Sequence, residues 1–147
     1  MSIRPVGLAH VNLNVTDLQE AERFYVEVLG FQVSGKYEGT IVWLNLGQYR
    51  EGLPHYFHDL ALYQVPQAAV PDRRRRAGMN HLALRLARPQ DVDAAADVLR
   101  RHGITILKGP LMHKEDQDRY VYFEDPFGNM IELVSSTLPD FPQAYLR

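Results

Sequence analysis

Two segments of this chain repeat one pattern 71 residues apart, and the repeat constrains the fold more than any other feature. Residues 8–15 and 79–86 each contain a histidine, His10 or His81, followed by residues that alternate between apolar and polar. Such alternation is typical of a strand with one buried face. Because the same signals recur after both strands, we predict two copies of one folding unit.

A helix pattern follows each repeated strand. Asp17 and Glu20 form a capping-box-like start for the first helix, and Gly30 ends it. Pro89 lies in the first turn of the second helix, and Gly103 follows its end. The apolar stripes are Leu18, Ala21, Tyr25, Val28 and Leu29 in the first helix and Val92, Ala95, Ala96 and Leu99 in the second.

Three further strand patterns follow each helix, so each half is predicted to be βαβββ. They cover residues 31–37, 40–46 and 58–65 in the first half and 104–108, 119–124 and 130–135 in the second. The predicted fold class is α+β, with two tandem modules whose curved mixed sheet surrounds a metal cleft. The predicted organisation is one domain over 1–147, with an N-terminal module (1–65), a linker (66–77), a C-terminal module (78–137) and a tail (138–147).

Composition excludes several classes of function. With 147 residues, of which 46% are hydrophobic, the chain is long enough to bury one compact core. A net charge of -2 gives no basic field for nucleic acid or a membrane surface, and no apolar run has the length of a membrane span. Cysteine is absent and the N-terminus has no secretion-signal pattern, so we expect a cytoplasmic protein.

The repeat also predicts a metal site. His10 and His81 occupy equivalent strands, and Glu132 lies on the last strand of the second half, where its counterpart in the first half is Ala61. Two imidazoles and one carboxylate therefore remain from a symmetric set of four. This combination, with open positions opposite the ligands, is typical of non-haem Fe(II) oxygenases. A single histidine on a strand is usually structural, but the three residues together favour a metal site.

A second motif carries a family resemblance. His113 is followed after a fixed interval by Tyr122, an Asp-Pro-Phe-Gly turn at 125–128, and Glu132. This arrangement resembles the vicinal oxygen chelate superfamily, and within it the type I extradiol ring-cleaving dioxygenases such as catechol 2,3-dioxygenase. Leu111 departs from the small or β-branched residue usual at its position. Many such dioxygenases carry two further modules, so this chain resembles the small single-domain type.

The resemblance implies a role for each candidate residue. The implied metal ligands are His10, His81 and Glu132. The implied catalytic residues are His58 beside the oxygen site, His113 as the acid/base group, and Tyr122 as hydrogen-bond donor to a substrate hydroxyl. The metal would be Fe(II), with Mn(II) as the alternative, and no organic cofactor is implied. The substrates would be a small-molecule catechol and O2, and the fold implies a homodimer or higher homo-oligomer.

Two other functions stay open. A glyoxalase-type lyase or isomerase shares the three ligands, but it normally takes a fourth from the position of Ala61. A metal-free binding protein of the drug-resistance type keeps the fold and loses the ligands, whereas this chain retains all three.

The remaining candidates are interpreted mainly as structural. Arg73 to Arg76 most simply form a solvated linker, although a guanidinium there is a candidate partner for a substrate carboxylate. On that basis we expect a small catechol, with a carboxylate or amino-acid side chain, over a biaryl diol. The aromatic residues expected to fill the first module are Trp43, Tyr49, Tyr56 and Phe57. Those expected to pack the tail are Phe141, Tyr145 and Leu146.

Overall fold

The computed structural model of the chain describes residue 4 and residues 8–49, 57–66 and 79–146. The chain divides into two compact units, Met1–Ala69 and Val70–Arg147. Their boundary falls in the predicted linker, but residues 67–77 of that linker, including Arg73 to Arg76, lie outside the described ranges. The exact module boundaries therefore stay predictions.

The first unit has the predicted βαβββ order. Its elements are β1 (Val11–Val15), α1 (Leu18–Arg23), β2 (Gln32–Tyr37), β3 (Ile41–Asn45) and β4 (Leu60–Gln64). The sheet order is β1-β4-β3-β2. β1 pairs with β4 in parallel, and the other pairs are antiparallel.

The second unit repeats this topology. Its elements are β5 (Leu82–Arg85), α2 (Pro89–Arg101), β6 (Ile106–Met112), β7 (Arg119–Glu124), β8 (Met130–Ser135) and a 3-10 turn at Gln143–Tyr145. The order β5-β8-β7-β6 again has one parallel pair, β5 with β8. The predicted α+β class with two βαβββ modules is confirmed.

The repeat extends to the pairing of individual residues. Asn12 lies opposite Ala61 in the first sheet, and Ala83 lies opposite Glu132 in the second. A shift of 71 residues carries the first pair onto the second. Glu132 and Ala61 are therefore structural equivalents, as the sequence predicts.

Helix α1 begins where its cap predicts but changes geometry near its end. Asp17 accepts a hydrogen bond from the backbone nitrogen of Glu20 at 2.9 Å. The helix then continues as a π-helical turn at Phe24–Val28. A wider turn moves the buried face, which explains why Phe24 is buried while Val28 and Leu29, predicted for the apolar stripe, are only half-buried.

Helix α2 packs on β6, β7 and β8. Its buried residues are Val92, Ala96 and Leu99, all within the predicted stripe. Val121, Phe123 and Ile131 of the sheet are fully buried and complete the core of this unit. Because side chains alternate across a strand, Tyr122 and Glu132 belong to the opposite face.

The strand limits differ most from the predictions at β1, β5 and β6. β1 and β5 begin at Val11 and Leu82, so His10 and His81 each lie one residue before a strand. β6 continues to Met112, past Gly109 and Pro110, which normally indicate a turn. β6 is an edge strand, and an edge tolerates proline because one side of it has no ladder partner.

Within the described ranges, no helix is long and apolar enough to cross a membrane.

Candidate metal and catalytic centre

Glu132 lies at the centre of the candidate site in the second unit. It occupies β8 between β5 and β7, opposite Ala83 on one side and Tyr122 on the other. The residue is only 5% exposed. Because burying a carboxylate without partners is costly, the groups around Glu132 decide whether this position is tolerated.

Two imidazoles contact the two oxygens of Glu132. His81 Nε2 lies 3.0 Å from Oε2, and His113 Nε2 lies 2.9 Å from Oε1. His81 reaches Glu132 because β5, which it immediately precedes, is the parallel neighbour of β8. His113 follows β6 in a turn held by the hydrogen bond from its backbone nitrogen to Asp118 O, 2.9 Å long. Residues far apart in sequence thus meet at one carboxylate.

The spacing of one His81 nitrogen and one Glu132 oxygen matches that of two neighbouring ligands of a divalent metal. With metal–nitrogen and metal–oxygen bonds of about 2.1 Å, neighbouring donors of an octahedron lie about 3 Å apart, as His81 Nε2 and Glu132 Oε2 do. His81 Nδ1 lies 2.8 Å from Asn80 Oδ1. In the tautomer with the proton on Nδ1, His81 donates this hydrogen bond and Nε2 is free to bind a metal, as in metal-bound histidines with outer partners.

Tyr122 is held as a neutral hydrogen-bond donor beside the same carboxylate. Burial, together with the negative charge of Glu132 and a hydrogen bond to it, raises the pKa of Tyr122 to about 12. The ring of Tyr122 also meets that of His81 edge to face, with centroids 5.2 Å apart. A phenol with such a high pKa keeps its proton at neutral pH and can donate it in a hydrogen bond.

Tyr120 and Lys108 extend this site beyond the predicted residues. The Tyr120 ring stacks on His113 with centroids 3.7 Å apart and an interplanar angle of 14°. Lys108 Nζ lies 5.7 Å from the centre of the same tyrosine ring. The sequence contains a signal for Tyr120, since a residue two places before Tyr122 on a strand shares its face.

The first unit brings two other predicted site residues together. The rings of His10 and His58 have centroids 4.5 Å apart, and His58 also lies near Trp43, at 6.3 Å. Asp59 organises the adjacent loop, since its carboxylate accepts hydrogen bonds from Leu46 N, Gln48 Nε2 and Tyr49 Oη. Tyr56 lies outside the described ranges.

The predicted residues therefore fall into two groups, His10 with His58 in the first unit and His81, His113, Tyr122 and Glu132 in the second. Within the described ranges, no three His, Asp or Glu side chains are arranged to hold a metal ion. The two imidazoles beside Glu132 contact different carboxylate oxygens. The ligand triad with His10 stays a prediction.

The first unit also contains a groove of about 610 Å³ between α1 and the β2–β3 turn. Its lining includes Leu18, Glu22, Lys36 and Gln64, and none of the predicted site residues. Lys36 is paired there with Glu22 and Glu38, at 3.5 and 3.3 Å. The groove therefore shares no residue with the predicted metal and catalytic site.

Comparison with known proteins identifies the family of this chain. The glyoxalase/bleomycin resistance protein/dioxygenase superfamily matches residues 7–133. A 2-epi-5-epi-valiolone epimerase from Actinomyces sp. is 30% identical, over 88% of this chain and 79% of its own length. A manganese-dependent 2,3-dihydroxybiphenyl 1,2-dioxygenase from Geobacillus genomosp. 3 is also 30% identical, over 90% of this chain but 40% of its own length.

Solved structures agree on the fold. A glyoxalase/dioxygenase from Nostoc punctiforme superposes with a TM-score of 0.72 at 24% identity, covering 94% of this chain and 98% of that one. The two curated relatives have different activities. Sequence similarity therefore establishes the family, and the type of reaction must be inferred from the residues of the site. The chain belongs to the glyoxalase/bleomycin resistance protein/dioxygenase superfamily.

Proposed function

We propose that this protein is a metal-dependent extradiol dioxygenase that cleaves the ring of a catechol with O2. The observation that carries the proposal is the arrangement at Glu132, where His81, His113 and Tyr122 surround one buried carboxylate. These are the residues to which the extradiol signature assigns ligation, proton transfer and substrate orientation. A site that only bound a ligand would not need this carboxylate, both imidazoles and the phenol together.

The proposed metal ligands are His10, His81 and Glu132. The spacing of His81 and Glu132 in the second unit supports two of them, and His10 rests on the sequence resemblance. Fe(II) is the proposed metal, and Mn(II) is the alternative, which the manganese dependence of the dioxygenase relative supports. When bound, the metal would supply adjacent positions for the catechol oxygens and O2 and a route for electrons between them.

The other residues act on protons and orientation. His113 Nε2 lies 2.9 Å from Glu132 Oε1, and His113 is proposed to exchange protons with the substrate. Tyr122, neutral at physiological pH, is proposed to donate a hydrogen bond to a substrate oxygen. His58 is proposed to stabilise negative charge on oxygen as a preorganised donor. Holding both reactants in one geometry provides much of the acceleration.

The test begins with anaerobic loading of the purified protein with Fe(II) or Mn(II). We expect about one metal ion per chain, and no loading for His81→Ala or Glu132→Ala, because each change removes a proposed ligand. His102→Ala, at the exposed C-terminal cap of α2, is the matched control and should load normally. Equal metal content in all four proteins, measured by elemental analysis, would contradict the assignment.

The loaded protein is then mixed with a panel of catechols in air. Ring cleavage should consume O2 and produce a yellow ring-opened semialdehyde, read by an oxygen electrode and visible absorbance. Fully loaded protein that consumes no O2 with any catechol would refute the dioxygenase proposal.

The second candidate is a metal-dependent lyase or isomerase of the same superfamily. The epimerase relative favours it, since this chain covers 79% of that protein. Ala61, only 1% exposed, stands where such enzymes normally have a fourth ligand, and this favours the dioxygenase. Conversion of a cyclic or thiol-linked substrate without O2 uptake would distinguish the two.

A further inference from the structure

Lys108 lies in the same cross-strand row as the candidate metal ligand. Ala83, Glu132, Tyr122 and Lys108 are directly opposite one another across β5, β8, β7 and β6. Residues opposite each other in a sheet point to the same face. The ammonium of Lys108 is therefore carried on the face that holds Glu132 and Tyr122.

Two irregularities in β6 flank Lys108, and the first one decides its placement. The pairing with β7 shifts once between Ile106 and Lys108 and again between Lys108 and Leu111. Without the first shift, Leu107 would lie opposite Tyr122, and Lys108 would point to the other face, since a slip of one residue reverses the faces. Such bulges commonly redirect a side chain near an active site.

The second irregularity depends on a glycine. Gly109 has a φ of +93°, and a Cβ added there would lie 2.5 Å from Tyr120 O. Any other residue would therefore clash with the neighbouring strand and strain the backbone. Glycine therefore permits the register shift that directly follows Lys108.

The surroundings of Lys108 leave its charge available for a ligand. Within the described ranges, no carboxylate lies within ion-pair distance of Lys108, whereas Lys36 has two such partners. Its ammonium lies 5.7 Å from the centre of the Tyr120 ring, which in turn stacks on His113. Lys108 is exposed, and a cation–π contact of an exposed cation contributes little, so the positive charge remains available to a ligand.

We propose that Lys108 binds an anionic substituent of the substrate, so that the preferred catechol carries a carboxylate on a short side chain. The inference rests on the proposed function and adds the substrate class. Two strand spacings separate Lys108 from Glu132, about 10 Å across the sheet, which is the scale of one aromatic ring with a short side chain. A lysine recognises such a group as a point charge.

The experiment compares 3,4-dihydroxyphenylacetate with its neutral methyl ester and with catechol. The ratio of kcat/KM for the acid to that for the ester should fall roughly tenfold to one hundredfold in Lys108→Met, the effect of losing a charge-assisted hydrogen bond. Lys108→Arg keeps the charge and should retain most of the preference. Lys36→Met, a lysine of the first unit, should leave the ratio unchanged.

Equilibrium binding separates this inference from the proposed reaction. Calorimetric titration of the metal-loaded protein with the acid and the ester, without O2, measures the anion preference whether or not the ring is cleaved. A preference that is lost in Lys108→Met supports the role of Lys108 even without turnover, which would refute only the dioxygenase. A wild-type protein that shows no preference for the acid, or a preference unaffected by Lys108→Met, overturns the inference while ring cleavage can still stand.

Discussion

A buried carboxylate between two imidazoles is the central residue-level feature of this protein. Glu132 is one of three buried charged or polar residues described, together with Asp125 and Ser135. Asp125 accepts hydrogen bonds from Phe127 N and Asn129 N, which form the turn before β8. The partners of Glu132 are instead two histidines and a tyrosine, all from other parts of the sequence. The carboxylate of Asp125 therefore stabilises a turn, whereas that of Glu132 is available for chemistry.

At this scale, replacing His113 or Tyr122 should affect turnover more than metal binding. His113→Ala and Tyr122→Phe are expected to keep the metal but lower kcat by roughly one hundredfold or more, the usual scale of acid/base effects. His81 and Glu132 are unaltered in both variants, so the proposed ligands remain. Metal analysis and oxygen uptake on the same preparations check this. If either variant loses its metal, that residue belongs among the ligands.

At the scale of elements, α2 is tied to the strand that carries Tyr122. Arg119 of β7 bonds to Asp93 of α2, with Arg119 Nε 3.2 Å from Asp93 Oδ2. The hydrogen bond from Arg119, and its positive charge, lower the pKa of Asp93 below its ordinary value of 3.8. The pair thus joins the helix that covers the core to the strand beside Glu132.

This ion pair predicts a pH-dependent contribution to stability. Because the folded-state pKa of Asp93 is lowered, the stabilisation is present above the unfolded pKa near 3.8 and is lost as the pH falls through the lower folded value. The pair is largely exposed, so its coupling at pH 7 should be at most about 1 kcal/mol. Urea unfolding of Asp93→Asn, Arg119→Gln and the double variant measures it. A coupling that persists unchanged at pH 2 would contradict this origin.

At the scale of the whole molecule, two units of the same topology carry different residues at equivalent positions. The shift of 71 residues relates Ala61 to Glu132 and also relates the pairings around them. The first unit contributes an apolar position and the second a carboxylate. The predicted homo-oligomer remains a prediction, which light scattering of the purified protein tests.

Metal binding should stabilise the folded molecule. A ligand that binds only the folded state at one hundred times its Kd adds about 2.7 kcal/mol, and for a chain of this size this corresponds to a rise in Tm of about 5–10 °C. Differential scanning calorimetry with excess metal and with a chelator should show this rise. Glu132→Ala should show none. A comparable rise in that variant would locate the metal elsewhere.

The local sequence determined the elements, the repeat and the candidate ligands. Alternation, the cap at Asp17 and the proline at the start of α2 act over a few residues, so they can be recognised without tertiary contacts. His81 and Glu132 could be chosen because the repeat and the signature place them at defined intervals. The starts of β1 and β5, next to His10 and His81, were less predictable. A strand extends only as far as the neighbouring strand pairs with it, and local sequence does not show that pairing.

Only the tertiary structure decided which groups meet. The stacking of Tyr120 on His113 and the position of Lys108 in the row of Tyr122 depend on the pairing of β6 with β7. The Gly-Pro pair in β6 predicts a turn from sequence, whereas at the sheet edge it lies within a strand with two register shifts. Register arises from contacts between strands, and one shifted residue reverses which side chains reach the site. The sequence therefore identifies the candidate site residues, whereas the pairing of the folded strands brings them together around Glu132.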